Sequence, residues 1–109
     1  MNIWYRVRDL DAARAFYTGP LGFDELYFDE NDRWVRLGRE GNELAVAEGE
    51  PEAGDDVVLT LEVPDVKAEA ERLRAAGVAV GVVLEIPVAI RLLDVFDPDG
   101  NRLQLTQDI

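Results

Sequence analysis

Trp4 and Arg6 are separated by one residue, as are Trp34 and Arg36, Thr60 and Glu62, and Arg102 and Gln104, so on extended strands each pair shares a face. These residues, with Arg91, form the candidate ligand-binding set. Indole rings on a sheet face offer flat apolar platforms for planar ligands, with an N–H to orient them; the same rings also fill concave sheet faces or seal dimer seams. Arg36, Arg91 and Arg102 would supply a cationic floor for a carboxylate or phosphate, or else be solvated strand residues paired with nearby acids. Arg6 and Glu62 could face each other as a charged pair that positions a ligand or satisfies itself. The set points to binding chemistry. The chain has neither cysteine nor histidine, so it lacks a thiolate and the usual neutral-pH general base. It carries no triad, glycine-rich phosphate loop or nucleophile elbow.

Composition narrows the partners. Eleven basic against 23 acidic side chains give a formal net charge of −12, a field that repels nucleic-acid backbones and anionic lipid. It favours solubility, and it would attract a cationic ligand. No stretch approaches the ~20 apolar residues of a membrane span, and the opening MNIWYRVRDL has no signal-like apolar run. The expectation is a cytoplasmic protein with no nucleic-acid or membrane partner. At 109 residues it is expected to be a single domain, residues 1–109.

The elements that would position these residues come in two sets. A first strand places Ile3, Tyr5 and Val7 on one face and Asn2, Trp4 and Arg6 on the other. Asp9 then caps a helix with Leu10, Ala13, Phe16 and Tyr17 on one stripe, ending at TGP. Strands at 23–28, 33–38 and 43–48 follow. The breaker-rich EGEPEAGDD, residues 48–56, reads as a linker. Beyond it a strand at 57–63 leads to Asp65, the cap of a helix with Val66, Ala70 and Leu73 on one face and Gly77 as its stop. Strands at 79–85, 91–96 and 102–107 complete the chain, the last after the DPDG turn.

Both halves therefore read βαβββ, as module one (1–50) and module two (57–109). VRDLDAARAF aligns with VPDVKAEAER, and GNELAV with GNRLQL, which makes Ala45 the counterpart of Gln104. Each half must bury one sheet face against its own helix and leave the other free. The expected architecture is α+β, two tandem βαβββ modules forming a curved mixed sheet around a cleft. The free phase would line it: Asn2, Trp4, Arg6, Val58, Thr60, Glu62, Arg102, Gln104 and Thr106, with Trp34 and Arg36. Tyr5 and Tyr17 fall on the helix-facing side.

RVRDLDAARAFYTGPLGFDEL, LEVPDVKAEAERLRAAGV and DPDGNRLQL resemble three segments of the glyoxalase/bleomycin-resistance/extradiol-dioxygenase superfamily, the vicinal oxygen chelate fold. The likeness covers nearly the whole chain, and Arg91 falls where that family often carries a basic residue ahead of the last turn. The resemblance implies paired modules and a homodimer. It also implies one of several chemistries, among them metal-dependent isomerases, dioxygenases and thiol transferases, and metal-free antibiotic binders.

In metal-dependent members the ligands, usually histidine and glutamate, sit at the start of a module's first strand and in the middle of its last. The matching positions here are Asn2, Val58, Ala45 and Gln104. Valine and alanine cannot coordinate, and the two amides offer only neutral carbonyl oxygens. A catalytic metal needs about three protein ligands. Glu48, Glu62, Glu85 and Asp94 are the acids that an unusual oxygen site would use. The expected function is metal-independent, cofactor-free binding of a small organic molecule, of which antibiotic sequestration of a bleomycin-like drug is one form. The alternative is a lyase, isomerase or dioxygenase-like enzyme, with Glu62 or Tyr27 as proton shuttle if no metal takes part.

Overall fold

The computed structural model describes residues 3–51, 58–86 and 89–108; Asn2 lies outside them. The chain is α+β and divides into two compact units, Met1–Val57 with Pro98–Asn101, and Val58–Asp97 with Arg102–Ile109.

In the first unit β1 (Trp4–Val7) leads to α1 (Leu10–Thr18), then β2 (Asp24–Asp29), β3 (Trp34–Arg39) and β4 (Asn42–Glu48). The sheet order is β1-β4-β3-β2, with β1 parallel to β4 and the other pairs antiparallel. Asp9 caps α1, its carboxylate accepting from the Ala12 N–H at 3.1 Å. The helix packs on β3 and β4 and buries Leu10, Ala13 and Tyr17. Tyr5, Val7, Val35, Leu37, Leu44 and Val46 meet it from the sheet and are also buried. Phe16, expected on the same stripe, is only half-buried, its ring edge-on to Tyr17. The β3–β4 hairpin turns through Glu40 and Gly41, both at positive φ (50° and 83°), the pattern of a two-residue turn matched to strand twist.

The second unit repeats the plan: β5 (Leu59–Glu62), α2 (Val66–Ala75), β6 (Ala79–Val80), β7 (Leu84–Ile86), β8 (Ile90–Phe96) and β9 (Arg102–Asp108). The order is β5-β9-β8-β6, with β7 also on β8. Asp65 caps α2 through the Ala68 N–H at 3.1 Å, and Gly77 at φ 80° lets the chain leave it. Val66, Ala70 and Leu73 pack over Leu61, Leu93, Val95, Leu103 and Leu105. The duplicated register is explicit, since β1 pairs Trp4 with Ala45 and β5 pairs Thr60 with Gln104, both in parallel ladders.

The strand expected over 79–85 is two strands. Val80 pairs with Val95 and Leu84 with Leu92, so this side carries one residue more than β8 opposite it. Gly81 keeps the β6 register, its N–H donating to the Asp94 carbonyl at 2.9 Å while its own carbonyl accepts from the Arg74 guanidinium at 3.0 Å, so the surplus residue falls after it and before Leu84. Arg74 of α2 thus binds the Gly81 carbonyl at the end of the β6 ladder.

Candidate functional site

The open face of the first sheet, opposite α1, carries two cross-strand rows. One is Trp4, Ala45, Arg36 and Tyr27; the next is Arg6, Ala47, Trp34 and Asp29. The sequence places alanines on the central strand and large rings on its neighbours, so the middle of the face is low and its walls are aromatic. Trp34 joins the walls: its ring centroid lies 5.6 Å from Trp4 and 5.2 Å from Tyr27, both at tilted angles. Trp4 is 54% exposed and Tyr27 50%, whereas Ala45 between them is 7% exposed. A trough of about 190 Å³ opens here, lined by Trp4, Trp34, Arg36, Glu43 and Ala45.

Tyr27 was not among the sequence-derived ligand residues, and the reason is a bulge. Glu25 pairs with Leu37, but Tyr27 pairs with Arg36, so Leu26 is an extra residue. In a regular ladder Leu26 would oppose Arg36 and Tyr27 would share Glu25's face towards α1; with Leu26 surplus, Tyr27 takes the place opposite Arg36 on the open side. Leu26 lies over Gly38, where an added Cβ would come within 2.9 Å of a Leu26 methyl carbon, so this glycine is what admits the displaced leucine. Glu43, two residues before Ala45 on β4, was legible from alternation alone.

Charges on this unit are mostly satisfied. Glu48 accepts from the Leu10 N–H and from Arg33, which hold its carboxyl below the ordinary value of 4.5, Arg33 having the larger effect. Arg14 pairs with Glu25 at 2.7 Å, and Arg8 with Asp99 at 3.2 Å. Arg6 lies beside Gly49, and its carbonyl accepts from the Asn101 amide. Arg36 differs: among the described residues it makes no ion pair or hydrogen bond through its guanidinium.

The second sheet's open face carries Thr60, Glu62, Arg102, Gln104 and Thr106. The Gln104 amide donates to Asp94 at 3.2 Å, and Arg102 approaches the same carboxylate oxygen at 3.6 Å. Thr60 and Glu62 are exposed on β5. Arg91 is on the other face. It shares the phase of buried Leu93 and Val95 and bonds to Glu85 at 3.0 Å, where Lys67 of α2 also binds at 3.2 Å. Alternation along β8 forces this, since Arg91 and Leu93 are two residues apart.

The positions that match metal ligands carry poor donors. Ala45 presents a methyl group on the trough floor, and Gln104 turns its amide N–H onto Asp94. Glu48, Glu85 and Asp94 are each occupied by cations or N–H donors, and among the described residues no three acids converge on one point. These residues do not fit a divalent ion.

Comparison with known proteins places the chain. Residues 2–105 match the Glyoxalase/Bleomycin resistance protein/Dioxygenase superfamily. The chain belongs to this superfamily. Among solved structures it is similar to a glyoxalase/bleomycin resistance protein from Streptomyces sp. CB03234, at 30% identity and TM-score 0.77 with 97% of each chain covered. It is also similar to TnmS3, an antibiotic binding protein from the same strain, at 27% identity and TM-score 0.77, covering 99% of this chain and 93% of that one. The fosfomycin resistance protein FosX of Listeria monocytogenes shares the fold, at 19% identity and TM-score 0.83 over 98% of this chain and 90% of that one. No curated protein matches. Among the described residues no helix is long and apolar enough to cross a membrane.

Proposed function

We propose that this superfamily member binds a small planar-ringed organic molecule in the aromatic trough of its first unit, without a metal ion and without turning it over. The observation that carries the reading is the contact of Trp34 with Trp4 and with Tyr27, both half-exposed, beside a trough lined by Trp4, Trp34 and Ala45. Half-exposed aromatic rings held in mutual contact form a rigid platform, so a flat ligand gains apolar contact with little side-chain ordering cost. Sequestration of an antibiotic is one form of this function, and the likeness to TnmS3 supports it. A thermal-shift screen of aromatic acids, aromatic amines and glycopeptide antibiotics tests the reading, since a ligand of the native state raises the melting temperature. Stabilisation of the wild type that disappears in Trp4→Ala supports it; stabilisation that survives Trp4→Ala and Trp34→Ala overturns it.

We also propose that the chain pairs with a second copy of itself. Leu84 and Ile86 on β7, with Val82 before them, are exposed apolar residues on a three-residue strand whose described pairing is to β8 alone. An apolar strand edge of this kind is self-complementary in an antiparallel dimer.

A further inference from the structure

The trough holds a feature that aromatic stacking does not use. Arg36 stands in the middle of the row Trp4, Ala45, Arg36, Tyr27, yet its guanidinium has no hydrogen-bonding or carboxylate partner among the described residues. Acids outnumber bases in this chain by 23 to 11, and Arg8, Arg14, Arg33, Lys67, Arg72 and Arg91 each meet one. Arg39 and Arg74 instead donate to carbonyls, and Arg14 also stacks on Phe28. Glu43 lines the same trough from the next row, opposite Gly38, and forms no ion pair with Arg36. The fork is thus left available beside ring faces, where apolar walls strengthen its attraction for an anion.

We propose that the ligand is a planar aromatic acid, its ring on Trp4, Trp34 and Tyr27 and its anionic group on the Arg36 guanidinium. This rests on the trough being the binding site, as proposed above. Glu43 then acts as a charge filter at the rim, weakening anion binding somewhat and leaving Arg36 to set the preference. The sign is the informative part: a cationic ligand would gain from Glu43 and lose from Arg36, and an anionic one does the reverse.

The experiment is calorimetric titration of the intact chain with three probes of one ring and different charge: naphthoate, naphthamide and naphthylmethylamine. Naphthoate is expected to bind about tenfold tighter than naphthamide, the scale of one charge-assisted hydrogen bond on a partly exposed surface. Arg36→Gln is expected to bring the ratio of naphthamide to naphthoate Kd from about ten to about one. Arg36→Lys keeps part of the preference, and Glu43→Gln tightens naphthoate a few-fold. Arg36 is exposed, so these variants are expected to fold, which a melting curve checks. Equal affinity for acid and amide, tightest binding of the amine, or an acid preference that survives Arg36→Gln overturns the inference while the trough reading stands. Failure of all three probes to bind overturns both.

Discussion

Replacing Trp34 with alanine separates the platform's contribution to the fold from its contribution to binding. In the free protein the indole makes two tilted contacts, at 5.6 Å to Trp4 and 5.2 Å to Tyr27. Such pairs contribute about 0.5–1.5 kcal/mol each, and the partners here are half-exposed, so the loss of both lies near ~1 kcal/mol. For a unit of this size that lowers the melting temperature by roughly 4–8 °C. Binding should suffer more. A planar ligand covering about 100 Å² of indole face loses ~2.5 kcal/mol at ~25 cal/mol per Å², about 70-fold in Kd. Titration of wild type, Trp34→Ala and Trp34→Phe with naphthamide reads this directly, the phenylalanine variant keeping most of the affinity. A folded Trp34→Ala protein that binds within threefold of wild type refutes the reasoning, because the rings would then be a structural cluster and not a ligand surface.

Removing either helix cap, Asp9→Ala or Asp65→Ala, should cost about 1 kcal/mol in urea unfolding, since each carboxylate satisfies one N–H of its helix's first turn. The carboxyls of Glu48 and Glu85 are both depressed, the first mainly by its Arg33 hydrogen bond and the second mainly by Lys67 with Arg91 next. Their contribution to stability is therefore full above the ordinary value of 4.5 and lost as pH falls through the lowered folded values. The gap in melting temperature between wild type and Glu48→Gln should close on acidification from pH 7 to 3, and a constant gap contradicts it. Prolonged treatment with a chelator should leave both melting temperature and naphthoate affinity unchanged, with elemental analysis finding no stoichiometric metal. Sedimentation should give about twice the 12.2 kDa chain mass, reverting to one chain in Ile86→Lys.

Local rules decided much of this protein. Both capping aspartates, both helix stripes apart from Phe16, and the alternation along β1, β4, β5 and β9 follow from residues a few positions apart, where backbone geometry alone dictates which side chains share a face. The repeat likewise followed from short matches, and the ladder registers of Trp4 with Ala45 and Thr60 with Gln104 agree with it. Even Arg91's position on the helix side was available from its phase with Leu93.

Three-dimensional packing decided what alternation cannot carry. A bulge shifts phase by one residue wherever packing accepts it, so Leu26 over Gly38 moved Tyr27 onto the open face, and one surplus residue between Gly81 and Leu84 split a strand in two. Ion pairing depends on distance in space. Arg33 finds Glu48 on a neighbouring strand, Gln104 finds Asp94, and Arg36, in an acid-rich chain, finds no carboxylate among the described residues. The sequence supplied the rings and the arginine, and only the cross-strand register set them around one alanine floor.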